Sequence, residues 1–125
     1  MGDRGNIVVD GVYLYSHWGG SELPKVLQEA LAKQWRWTDG AYLCRIIFDC
    51  MTRGHHDTET GFGISLGLCD NEHPILHVSS NSQTVKLKTE KGKDLGAWTF
   101  REYIELAIDP DMDDQFAALG AKVEH

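Results

Sequence analysis

A chain of 125 residues, 42% of them apolar and 25% charged, with four tryptophans, is sized for one domain around a single hydrophobic core. No apolar run approaches the ~18 residues of a membrane span, and no basic segment followed by an apolar one opens the chain. Composition therefore predicts a cytoplasmic protein with no membrane partner. The formal net charge of −7 is shared as −3 over residues 1–108 and −4 over 109–125, with no basic stripe to follow a phosphate backbone, which argues against direct nucleic-acid binding.

In chain order, Asn6-Ile7-Val8-Val9 and Val12-Tyr13-Leu14-Tyr15 flank an Asp10-Gly11 pair and predict a β-hairpin. Ser21 is placed to cap a first helix from Glu22 to Trp35, with Pro24 in its first turn and Leu23, Val26, Leu27, Ala30 and Leu31 at helical spacing. Thr38 or Asp39 caps a second helix reaching Met51 or Arg53, whose wide apolar stripe predicts the most buried helix. Beyond a polar loop, Phe62, Ile64, Leu66 and Leu68 alternate with Gly63, Ser65 and Gly67. One face of this strand is nearly bare, so a ring, a helix or a ligand is expected against it.

Ile75 to Ser79 is expected to pair with Thr84 to Thr89 across Ser80-Asn81-Ser82-Gln83 as a meander. Glu90 to Asp94 reads as a solvated turn, and Thr99-Phe100-Arg101-Glu102 is a capping box before a short third helix that ends near Asp109-Pro110. The expected fold is α+β: an antiparallel sheet, made of the N-terminal hairpin and the central meander, with two main helices packed on one face and a short C-terminal helix. Residues 1–108 form the expected domain. Residues 109–125, with Asp109, Asp111, Asp113 and Asp114, read as an acidic tail, and Val123-Glu124-His125 as a vector remnant.

The three cysteines are odd in number and form no Cys-x-x-Cys pair, so buried free thiols are expected at Cys44, Cys50 and Cys69. Gly63-Ile64-Ser65-Leu66-Gly67 matches the letters of a nucleophile elbow. That elbow needs a strand-to-helix turn, however, and here the strand alternation continues through Leu68. Gly19-Gly20 fits neither the dinucleotide fingerprint nor the nucleotide P-loop. Arg45, Asp49 and Arg53 are spaced as a helical charge ladder, with Arg45 also able to face a cleft.

One stretch concentrates candidate binding groups. Tyr13, Tyr15 and His17 alternate with Leu14, Ser16 and Trp18, then run into Gly19-Gly20 and a helix start, whose N–H groups suit an anion. The candidate ligand-binding set is Arg4, Tyr15, His17, Trp18, Gly19, Gly20 and Arg45. No catalytic residue, metal site or cofactor is assigned. The chain resembles a group of small uncharacterised bacterial and phage proteins that begin Met-Gly-x-Arg and carry a His-Trp-Gly-Gly segment. The resemblance rests on Met1 to Asn6, Leu14 to Gly20, Arg45 to Phe48 and Glu59 to Ser65. It implies a stand-alone phage or mobile-element accessory protein and carries over no functional residue.

The leading expectation is a non-enzymatic binding module for a small, nucleotide-like anion or for a host protein that it inhibits, with homo-oligomerisation as a way to cover an exposed strand. The alternative is a small hydrolase or phosphoesterase pairing His17 with His55 or His56 as acid and base, with a metal held by Asp57 and Glu59.

Overall fold

Asp10 and Gly11 adopt left-handed backbone, with φ of 49° and 86°, the geometry that a two-residue hairpin turn requires. The turn folds β1 (Gly5–Val9) back on β2 (Val12–Ser16) in antiparallel register. A computed structural model describes residues 2–55 and 57–120. After the hairpin come α1 (Leu23–Ala32), α2 (Gly40–Met51), β3 (Phe62–Ser65), β4 (Ile75–Ser79), β5 (Thr84–Lys88), β6 (Asp94–Thr99) and α3 (Phe100–Ile104). The strands form one six-stranded sheet in the order β3-β2-β1-β4-β5-β6.

All neighbouring strands are antiparallel except β1 and β4. Parallel strands need a long crossover, and the chain between these two supplies it through both main helices. Ile7, Val9, Leu14, Leu76, Val78, Val85 and Leu87 alternate onto one face, are nearly inaccessible, and meet the helices in a single core. Val8, Tyr13, Tyr15, His77 and Lys86 alternate onto the other face. The fold is thus the expected α+β arrangement, with the hairpin and the meander joined by one parallel pair.

Several local expectations are corrected. α1 stops at Ala32, and Gln34 and Arg36 beyond it take φ of 58° and 55°, so Trp35 lies outside the helix. Ser21 does not cap α1. It sits in a 3-10 turn (Gly20–Glu22) and donates through its backbone N and its Oγ to the Asp3 carboxylate. The more buried helix is α1, which touches α2, α3 and the C-terminal segment, whereas Tyr42 of α2 is 48% exposed. β6 was not anticipated, because Gly96 interrupts its alternation; the Trp98 ring lies over that glycine.

The regular part of β3 stops at Ser65, whose Oγ accepts the Gly67 N–H, and no helix follows to make a nucleophile elbow. Its bare side is met by Tyr15, with Gly63 directly opposite. Asp109, Asp111 and Asp113 are exposed as expected, but residues 115–120 are not a solvated tail. A 3-10 helix (Gln115–Leu119) buries Gln115, Phe116 and Leu119 against the domain, because its apolar residues complete the core beside α1. The expected vector remnant lies outside the described residues.

Candidate functional site

β2 ends by delivering two adjoining rings, His17 and Trp18. The His17 N–H donates to the Gly61 carbonyl and the His17 carbonyl accepts from Asp3 N, which fixes the backbone at this corner. The His17 Nδ1 lies 2.7 Å from the Tyr15 hydroxyl. Trp18 meets the His17 ring edge-on at 4.8 Å between centroids, packs against Gly61 and remains 60% exposed. Trp18 is the residue that faces outward.

On its helix side Trp18 borders a groove of 530 Å³. Leu23 and Val26 of α1, Cys50 and Met51 of α2, and Phe62 of β3 give it an apolar lining. Glu22, Glu29, Arg53 and His55 supply the charged and titratable groups. Arg53 is tied to Glu29 at 3.4 Å, and its guanidinium pKa is raised by a hydrogen bond with Cys50 and by Glu29. Among the described lining residues, Glu22 and Glu29 outnumber Arg53, so with His55 neutral this groove is acidic.

Cys50 and Arg53 also border a second groove, of 390 Å³, with Lys33, Trp35, Arg45, Ile46 and Asp49. Here the Lys33 ammonium stands 4.8 Å from the centroid of the Trp35 ring, and Arg45 pairs with Asp49 one helical turn away. Trp35 is 58% exposed. The surface therefore has an acidic half beside Trp18 and a basic half beside Trp35, joined at the Arg53–Glu29 pair.

The structure does not gather the sequence-predicted residues into one anion site. Trp18 and Gly19 line the acidic groove, and Arg45 lines the basic one. Tyr15 and His17 border a shallower cleft on the other side of Trp18, beside Gly61. Arg4 is held by Glu72 at 3.0 Å and Asp70 at 3.4 Å. The hydrogen bond to Glu72 raises the Arg4 pKa, and the same contact lowers that of Glu72. Burial, then the nearby Asp70 charge, raises the Tyr15 hydroxyl pKa.

The amides expected to hold an anion are satisfied internally. Gly19 N donates to Ser16 Oγ, Gly20 N to the Asp3 carbonyl and Ser21 N to the Asp3 carboxylate. Asp3 fills the helix start from within the chain. Gly20 itself is buried.

The described histidines of the hydrolase set lie along two adjoining clefts that share Trp18, Thr60 and Phe62. His17 bonds Tyr15 in the shallow cleft, while His55 lines the acidic groove. His56 lies outside the described residues, and Asp57 and Glu59 are exposed. Among the described residues no three His, Cys, Asp or Glu side chains cluster to hold a metal. Burial, then the Asp10 charge, raises the Cys44 thiol pKa and keeps it from the thiolate form.

Sequence reasoning missed two features. One is the Asp3, Ser21 and His73 cluster, in which Ser21 Oγ and His73 Nε2 each lie 2.5 Å from a different Asp3 oxygen. A nucleophilic relay places the imidazole between acid and serine; here the carboxylate is in the middle, an arrangement for holding segments together. Separations of 18 and 70 residues left no local signal for it. The other is the groove that Trp35 and Arg53 both line, which depends on how α1 and α2 pack.

No helix among the described residues is long and apolar enough to cross a membrane. Neither a family model, a curated protein nor a solved structure matches this chain.

Proposed function

We propose that this protein is a non-enzymatic binding module that engages a partner protein through the helix-side surface between Trp18 and Trp35. The observation that carries this reading is a pair of tryptophans, 60% and 58% exposed, flanking the Arg53–Glu29 pair. Tryptophan and arginine dominate the energetic centres of protein interfaces, because a large rigid ring and a forked cation lose little entropy on docking. The acidic and basic halves fix the orientation in which a complementary surface can approach. Resemblance to phage accessory proteins fits a host protein as that partner, and inhibition as the result.

The Lys33, Trp35 and Arg45 groove favours a second reading: a small anion with a planar ring, stacked on Trp35 and neutralised by the two cations. One experiment separates the two. The native chain, Trp18→Ala, Trp35→Ala and the opposite-face variant Lys86→Ala are used to capture partners and then analysed by native mass spectrometry. The expected result is one stoichiometric protein retained by the native chain and Lys86→Ala and lost from both tryptophan variants. Binding that survives both tryptophan changes would overturn the interface. A copurifying nucleotide lost with Arg45→Ala would select the small-anion reading.

A further inference from the structure

Resting on the reading of this surface as a protein interface, we propose that the groove beside Trp18 takes an arginine side chain of the partner. Its apolar stem lies along the groove floor, and its guanidinium sits between the Trp18 ring and the Glu22 carboxylate. Leu23, Val26, Met51 and Phe62 give the groove an apolar lining, and its volume of 530 Å³ lies within the usual range for ligand clefts. An arginine joins an apolar stem to a charged head, so it covers such a floor while its charge stays at the rim.

The rim supplies the complementary charge. Glu22 Oε2 lies 3.7 Å from the point where a Cβ on Gly19 would stand, and Gly19 follows Trp18 in the chain, so carboxylate and ring share one end of the groove. Among the described residues, no hydrogen bond or ion pair engages the Glu22 carboxylate, whereas Glu29 is tied to Arg53. A cation that enters beside Trp18 therefore meets a carboxylate with no other claim on it. An acidic occupant would be repelled there, and a neutral apolar one would leave the carboxylate unanswered.

The ring is set in advance. Trp18 stands edge-on to His17, and its Cζ3 lies 2.9 Å from where a Cβ on Gly61 would be, so the missing side chain lets the ring rest on the Gly61 backbone. At 60% exposure it still leaves room for a cation. A ring already held in place loses little freedom when a group stacks on it. The guanidinium is flat, weakly hydrated and forked, so it lies on an indole and bonds a carboxylate at once, where an ammonium offers a point charge.

A nuclear magnetic resonance titration of the full chain with the capped peptide acetyl-leucyl-arginyl-leucine amide tests this anchor. Its citrulline twin, of the same shape without the charge, is the control. Saturable shifts are expected at the Trp18 indole N–H and the Met51 methyl at millimolar peptide. The citrulline twin should bind roughly tenfold more weakly, the combined worth of an exposed ring–cation contact and an exposed ion pair. Glu22→Gln keeps the shape of the side chain and should weaken the arginine peptide about threefold while leaving the citrulline peptide unchanged. Lys86→Ala, on the opposite face, should bind both peptides as the native chain does, and circular dichroism should show the native fold in both variants. Equal binding of the two peptides, shifts centred on Trp35, indifference to Glu22→Gln or no saturable shift would overturn the proposal. If the peptide fails while a captured protein is still lost from both tryptophan variants, the interface stands without an arginine anchor; failure of the interface itself shows in the capture instead.

Discussion

Gly20 sits where the opening segment of the chain crosses the start of α1. A Cβ there would fall 2.7 Å from the Arg4 carbonyl carbon and 2.8 Å from Asp3 O and Gly5 N, all of them backbone atoms. At Gly19 the nearest atoms are the ends of side chains, Ser16 Oγ at 3.2 Å and Glu22 Oε2 at 3.7 Å. Gly20→Ala should therefore destabilise by roughly 1–3 kcal/mol, the usual range for forced overpacking. Gly19→Ala should stay within about 0.5 kcal/mol. Urea unfolding of the two variants checks the contrast, and equal midpoints would show that the crossing can move aside. In the sequence the pair looked like flexible backbone for a ligand. Its second member is a packing requirement between segments, which no pattern within Tyr13 to Ser21 could reveal.

The elements themselves were legible wherever a local rule decides the outcome. Asp10-Gly11 closes the hairpin, Asp39 accepts the Tyr42 N–H to start α2, and Thr99 with Glu102 completes a capping box on α3. The start of α1 was legible to within one residue, with Pro24 in its first turn, but the role of Ser21 was not, because its partner Asp3 comes from another segment. Burial alone would raise the Asp3 carboxyl, but hydrogen bonds from Ser21 and His73 outweigh it and hold the pKa below 3.8. As pH falls, the unfolded chain takes up this proton first. The stabilisation is thus complete above 3.8 and is lost as pH falls through the lower, folded value. Asp3→Asn should cost about 1 kcal/mol at neutral pH, the usual net worth of a hydrogen bond. The gap from the native chain should close in acid. Denaturation midpoints measured across that range would reveal a gap independent of pH if Asp3 contributed only by its shape.

At the scale of the whole molecule, the segments that carry Asp3 and Phe116 meet at one side chain. His73 lies against Asp3 through Nε2 and stacks on Phe116 with 5.4 Å between ring centroids and 11° between planes. Gln115 Oε1 accepts the Lys25 N–H, so the C-terminal segment also binds the first turn of α1. The run of aspartates from 109 to 114 disguised this in the sequence: charge suggested solvent, whereas the two buried apolar residues that follow decide the outcome. Phe116 is fully buried, and Phe116→Ala should destabilise by about 3–5 kcal/mol, against nothing measurable for a solvated tail. Because Asp3 and Phe116 share His73, the losses in Asp3→Asn and Phe116→Ala should not simply add. A double-mutant cycle by urea unfolding should give a coupling of about 0.5–3 kcal/mol. If the two losses summed, each terminus would be docking independently, and His73 would only touch both segments without linking them.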